Sequence, residues 1–221
     1  DQIRQTIAIG KLNVKICGSS SGLSDFGDGA THQCVEDMAI FRAVPNMAVI
    51  CPADANETRE AVKAIAQMKG PCYLRLNRND YPNVTKEGAR FEIGVPRILK
   101  HGTDVALFAA GYMTGVALEA AKELEGSISV RVINVSTIKP MNKEVMRKMA
   151  EGCRAVVTAE EHNVAGGLGS AVAEALCEDP LPMKMVGIKD TFGCSGHNYQ
   201  EVLAYHGLTK EAVAEAVREM A

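Results

Sequence analysis

Asp28 and His32 stand four residues apart across Gly29-Ala30-Thr31, so a carboxylate and an imidazole flank a tight glycine turn. A carboxylate only accepts hydrogen bonds, while a neutral imidazole donates one and accepts another at physiological pH. A packed core needs neither. A helix cap beside a surface histidine is the plainer reading of the same spacing. Behind the turn, Val35, Met38, Ala39 and Arg42 share one side at helical spacing until Pro45 stops the run. A helix is expected to open after Asp28, with His32 in its first turn.

Four other clusters could carry chemistry. Arg75 and Arg78 lie at or just past a strand end, where a guanidinium can bind a phosphate bidentately or close an interdomain salt bridge. Glu160-Glu161-His162-Asn163 sits at the carboxyl end of a strand, where open α/β sheets place ligands. It suits acid–base work or a polar contact between subunits or domains. Gly166-Gly167-Leu168-Gly169 follows a strand and opens a helix, but it is not G-x-G-x-x-G and has no lysine at Walker spacing. Close packing of helix on sheet explains it better. Gly193-Cys194-Ser195-Gly196-His197 puts a thiol near an imidazole in sequence, which does not bring them together in space. An interface loop is the expectation.

The elements that position these groups alternate. In the first segment, residues 1–80, strands are expected at Leu12–Cys17, Met47–Cys51 and Cys72–Leu76. A helix capped by Asp54 or Asn56 intervenes, with Val62, Ile65, Ala66 and Met68 inward. Such β-α-β order implies parallel pairing with right-handed crossovers. Three strands make a thin sheet, and preceding residues are expected to supply more. Residues 81–97 read as a linker. Residues 98–221 alternate strands at Asp104–Ala109, Ser129–Val135, Arg154–Ala159 and Met183–Ile188 with helices, one of which turns Val116, Ala117, Ala120 and Leu124 inward. That pattern predicts an α/β layer with helices on both faces.

Composition narrows the partners. Lys and Arg number 24 against 27 Asp and Glu, interspersed, so neither nucleic acid nor an anionic membrane is an expected partner. No apolar run nears the roughly 18 residues a membrane helix needs. The seven scattered cysteines form no C-x-x-C pair and read as reduced core residues of a cytoplasmic protein. Asp1 to Ile9 reads as the end of an amphipathic helix with Ile3 and Ile7 on one side, and the abrupt start suggests part of a longer chain.

Several of these segments in order resemble the transketolase family. They are Asp28-Gly29-Ala30-Thr31-His32-Gln33 and its helix, Pro45-Asn46-Met47, Cys51 to Glu57, and Leu76-Asn77-Arg78-Asn79-Asp80-Tyr81-Pro82. The likeness is to the C-terminal subunit of split, two-gene transketolases. It implies that residues 1–80 are the second half of a pyrimidine-binding domain and that 98–221 are the C-terminal domain. It also implies transfer of a two-carbon ketol unit from a ketose to an aldose, with thiamine diphosphate making the carbanion chemistry possible. In the family pattern the pyrimidine-holding groups precede Asp1, and a partner domain or subunit holds the diphosphate with Mg or Ca. A homodimer or a heterotetramer is implied, and the chain alone is expected to be inactive.

By the same resemblance Asp28 and His32 would bond sugar hydroxyls, and Arg78 would hold the terminal phosphate of a sugar phosphate. Ser20 stands where the family usually has histidine, and Gly27 where it has an acidic residue. Serine cannot carry a proton at neutral pH as imidazole can, so either the sugar differs or proton handling is reassigned. Related readings are a 2-oxo-acid dehydrogenase β subunit, a deoxyxylulose-phosphate synthase type enzyme, or a non-catalytic assembly module.

Overall fold

The computed structural model describes residues 1–221. Two sheets form, each from strands the apolar runs anticipate plus one they do not. The first has the order β1 (Lys15–Gly18), β3 (Cys72–Arg75), β2 (Ala48–Ile50), β7 (Thr137–Lys139). The β1–β3 and β2–β3 pairings are parallel, with Lys15 opposite Cys72 and Ala48 opposite Cys72. A fourth strand comes from the second segment: β7 runs antiparallel to β2.

The second sheet has the order β4 (Arg97–Lys100), β6 (Val130–Asn134), β5 (Val105–Ala109), β8 (Ala155–Asn163), β9 (Met183–Ile188), and only β4 is antiparallel to its neighbour. Successive side chains of a strand point to opposite faces. Val105, Leu107 and Ala109 therefore join α3 (Met113–Glu123) and α7 (Lys210–Met220) in one core, while Ala106 and Phe108 join α4 (Lys143–Ala150) and α5 (Leu168–Leu176) in the other. Helices cover both faces, as expected. The short helix α6 (Tyr199–Tyr205) was not anticipated.

The core on the α4/α5 face continues into the first sheet, taking in Met38, Met47, Val49, Cys51 and Tyr73. The two segments thus share one apolar interior. The other face of the first sheet packs Ile50, Cys72 and Leu74 against Ala61 and Ile65 of α2 (Ala55–Gln67). Asp54 caps α2, accepting from Glu57 N. Val62 and Ala66 point outward instead of inward. Glu57 takes a place on the buried side instead, where its carboxylate accepts from Ala53 N at 2.7 Å and from the Asn134 amide at 3.0 Å. At the N-terminus, Ile3–Ala8 is a π-helical turn with Ala8 buried and Ile3 packed on the shared core, so Ile9 and Leu12 are the outermost apolar side chains there.

Candidate functional site

The helix expected to begin after Asp28 starts later. Gly29–Thr31 is a single 3-10 turn, and α1 spans Asp37–Ala43. Gly22 and Cys34 intervene by exchanging two backbone bonds: Gly22 N donates to Cys34 O at 3.0 Å and Cys34 N to Gly22 O at 3.2 Å. His32 is therefore the C-cap of the short turn and not a first-turn helical residue, and its ring Nδ1 lies 3.0 Å from Thr31 Oγ1. Asp28 and His32 are both exposed.

Adjacent parallel strands deliver their following loops to one place. The loop after β1 carries Ser20, Asp25, Asp28 and His32, and the loop after β3 carries Asn77 to Tyr81. Ser21 N donates to Leu76 O at 3.0 Å, and Asn79 Nδ2 to Ser24 O at 2.9 Å. Ser20, at φ 56°, bends the chain into this contact. Arg78 Nη1 pairs with Asp25 Oδ2 at 2.7 Å, leaving the arginine side chain 52% exposed and the aspartate 13%. Arg78 also borders a cleft of about 380 Å³ with Arg59, Asn77, Asn79 and Asp80. A larger hollow of about 490 Å³ at Glu144, Arg147 and Cys153 touches none of the candidate residues. Arg78, Asp25 and Ser24 are thus brought together, while Asp28 and His32 stand further along the same loop with no side-chain bond to Arg78. Asp25 was missed because its partner is 53 residues away.

Arg75, two residues before Asn77, does different work. Its Nε donates to Asp37 Oδ2 at 2.8 Å and its Nη2 to the Glu161 carbonyl at 3.0 Å, with all these groups buried. Tyr73 OH donates to the same Asp37 oxygen at 2.7 Å. Burial alone would raise the Asp37 carboxyl, but the Arg75 guanidinium and the bonds from Arg75 and Tyr73 hold it below the ordinary carboxylate range. This arginine is a structural tie across the two segments and does not face a ligand.

Glu160, Glu161 and His162 are wholly inside, where β8 loses register with β9 between Ala159 and Asn163. Each is consumed by a contact. Glu160 accepts from Leu168 N at 2.6 Å and Gly169 N at 2.8 Å, filling the start of α5; burial pushes it up to about 8 against those bonds. The helix end that might hold a phosphate is already filled by the Glu160 carboxyl group. A side chain on Gly167 would collide with Glu160 and lie 2.7 Å from His162 Nδ1, so close packing accounts for the glycine turn. His162 Nε2 accepts from Met38 N at 3.1 Å, which leaves Nδ1 to donate to Asn163 O at 2.7 Å. Burial, with Arg75 nearby, pushes this imidazole down to about 4, so it is neutral at pH 7. Glu161 Oε1 accepts from Leu23 N at 2.7 Å and Oε2 from Asn77 Nδ2 at 3.2 Å.

The remaining loop joins the same seam. Gln33 Nε2 donates to Asp25 O and to Cys194 O, each at 3.0 Å, and Gly196 N donates to Phe26 O at 2.9 Å. Cys194 Sγ faces His206 Nε2 at 3.7 Å and not His197. Burial keeps that imidazole below its ordinary value, which disfavours its taking the thiol proton.

These residues do not fit thiamine diphosphate. The buried carboxylates are already bonded to backbone and amide donors. Tyr112 packs on Tyr81 and on Tyr199, each at 5.2 Å between ring centres, so these rings are engaged with one another. No three His, Cys, Asp or Glu side chains converge as a metal site would require.

Comparison with known proteins gives a consistent family. Residues 1–84 match the model of the transketolase pyrimidine binding domain, and 94–213 that of the transketolase C-terminal domain. A Methanocaldococcus jannaschii protein with the provisional name transketolase C-terminal section is 42% identical, over 98% of this chain and 69% of its own length. A subunit of the apulose-4-phosphate transketolase of Phocaeicola vulgatus is 37% identical, over 99% of this chain and 70% of its own. A solved structure described as a split gene transketolase, inactive beta4 tetramer, superposes with a TM-score of 0.91 at 45% identity, covering 99% of this chain and 70% of that one. No helix is long and apolar enough to cross a membrane.

Proposed function

This chain belongs to the transketolase family, and from that premise we propose that it is the substrate-facing section of an enzyme moving a two-carbon ketol unit from a ketose to an aldose. Relatives named as a C-terminal section and as one subunit of a transketolase support the need for a partner subunit. The family implies thiamine diphosphate. In this reading the cofactor and its divalent metal are held by groups outside these 221 residues, and the chain assembles as a homodimer or as a heterotetramer with the diphosphate-binding subunit. Residues 1–80 act as half of a pyrimidine-binding domain, 81–97 as the connector and 98–221 as the C-terminal domain. The seven unpaired thiols suit a reducing cytoplasm.

The observation that carries the reading is the meeting of the loops after β1 and β3, with Arg78 half exposed on a cleft. A guanidinium so placed can take a terminal phosphate bidentately. Asp28, His32 and Ser20 on the facing loop are the groups for the sugar hydroxyls. The experiment is reconstitution with the diphosphate-binding subunit and assay of ketol transfer between a ketose phosphate and an aldose phosphate. Transfer is expected from the complex alone. The isolated chain should show no saturable cofactor binding at micromolar concentration by calorimetry, and tight binding would overturn the placement of the cofactor groups.

A second reading is a subunit that self-associates without activity. The description of the split-gene neighbour as an inactive tetramer favours it. Light scattering of the chain alone, set beside the activity of the mixed complex, separates the two.

A further inference from the structure

We infer that Glu161, on β8 of the second segment, is a positioning residue that fixes the gap between the two substrate-facing loops and so aims Arg78. This rests on the reading of Arg78 as the anion-binding group.

The side chain lies between the loops and holds both. Oε1 takes Leu23 N at 2.7 Å, two residues before Asp25; Oε2 takes Asn77 Nδ2 at 3.2 Å, one residue before Arg78. Asp25 and Arg78 then close on each other at 2.7 Å. The fit on the first loop is tight: Gly22 sits at φ +61° with its α-carbon against the carboxylate, and a Cβ there would fall 2.5 Å from Glu161 Oε1. On the second loop, Asn77 Nδ2 also reaches Tyr199 OH at 2.6 Å, so a helix of the second segment braces the same amide. The backbone of Glu161 is fixed in turn, because its carbonyl accepts from Arg75 Nη2 at 3.0 Å.

Residue type matters here. A carboxylate offers only acceptors, and two donors from two different loops meet it. Burial raises the Glu161 carboxyl, and Arg75 with the bonds from Leu23 and Asn77 pulls the other way. Glutamine keeps the shape but offers one acceptor to the two donors, so whichever way its amide turns one of the two bonds is lost. Asn77 cannot simply rotate to suit, because its Oδ1 already accepts from Asn79 N at 2.8 Å. Glu161→Gln therefore unties one of the two loops and loosens the Asp25–Arg78 pair.

The test is steady-state kinetics of the complete two-subunit complex with phosphorylated and unphosphorylated aldose acceptors. Glu161→Gln is expected to raise KM for the phosphorylated acceptor about five- to tenfold more than for the unphosphorylated one, with kcat for both moving together. Asn77→Ala removes the same link from the other side and should discriminate in the same way, which covers the case of a Glu161 variant that does not fold. In an Arg78→Ala background, Glu161→Gln should add no further discrimination. If Arg78→Ala separates the acceptors and neither Glu161→Gln nor Asn77→Ala does, Glu161 is only a structural tie and the inference fails. If Arg78→Ala itself does not separate them, the reading of Arg78 fails and takes the inference with it.

Discussion

Asp25 Oδ2 lies 2.7 Å from Arg78 Nη1, and this ion pair joins the loop after β1 to the loop after β3. The pair sits where two neighbouring parallel strands release their chains, which is where open α/β sheets bind ligands. It leaves part of the guanidinium free for a second anion.

Arg78→Ala should therefore separate acceptors by charge. Losing a charge-assisted bond costs on the order of 1.5–3 kcal/mol, about ten- to a hundredfold in affinity. In the complete complex KM should rise by that factor for phosphorylated acceptors and much less for unphosphorylated ones. Equal effects on both would make the arginine structural.

Asp25→Asn keeps an acceptor for Arg78 but removes a negative charge close to the incoming phosphate. KM for phosphorylated acceptors should fall a few-fold, and its dependence on ionic strength should steepen. A rise in KM would mean that the full charge of Asp25 is needed to orient the arginine.

His32→Ala should lower kcat/KM for phosphorylated and unphosphorylated acceptors alike, since hydroxyls are common to both. Asp28→Asn replaces one acceptor oxygen with a donor, and it should weaken selection among sugars differing in hydroxyl configuration. Competition assays between epimeric acceptors read this directly. Unchanged selectivity would remove Asp28 from the sugar site.

Acid sensitivity should trace to His162. Its folded pKa lies near 4 against an ordinary 6.5, because burial disfavours the imidazolium. Between those values the unfolded chain binds more protons, so stability rises with pH. The contribution is complete above about pH 6.5 and is lost as pH falls towards 4, a span worth about 3 kcal/mol. Glu160, raised to about 8, works in the opposite sense from its ordinary 4.5 upward, but wild type and variant share it. Denaturant melts of wild type minus His162→Gln should therefore slope between pH 4 and 6.5 and flatten above. A difference independent of pH would show that the imidazole does not titrate in that window.

Local patterns were legible and non-local partners were not. The inward set of α3, Val116, Ala117, Ala120 and Leu124, stands in the sequence at helical spacing and is buried as expected. On α2 the same logic put Val62 inside, because an apolar stripe cannot foresee that a carboxylate, Glu57, will be buried to meet Asn134. Local spacing puts His32 in a helix because it cannot show the Gly22–Cys34 bridge that delays α1, which joins residues twelve apart in the chain. The loops that meet at Arg78 could be placed from the order of strands. That Asp25 would pair with it, and that Glu161 would brace both loops, depends on contacts 53 and 138 residues long. The one hint was that three ionisable residues in succession, Glu160 to His162, continue an apolar strand, which a buried strand tolerates only if each is bonded.

The borrowed strand β7 has a consequence for biosynthesis. Thr137–Lys139 covers the β2 edge of the first sheet, Ser136 O takes Cys51 N at 2.7 Å, and Lys139 Nζ closes the end of α1 on Arg42 O at 2.8 Å and Val44 O at 2.6 Å. On a translating ribosome the first eighty residues emerge long before these partners do. The nascent segment is left with an open edge at β2 until residue 139 clears the exit tunnel. Force measurements on stalled chains should accordingly register compaction of the first segment only at lengths that expose Lys139, and chaperones that shield open strand edges would have their window before that point.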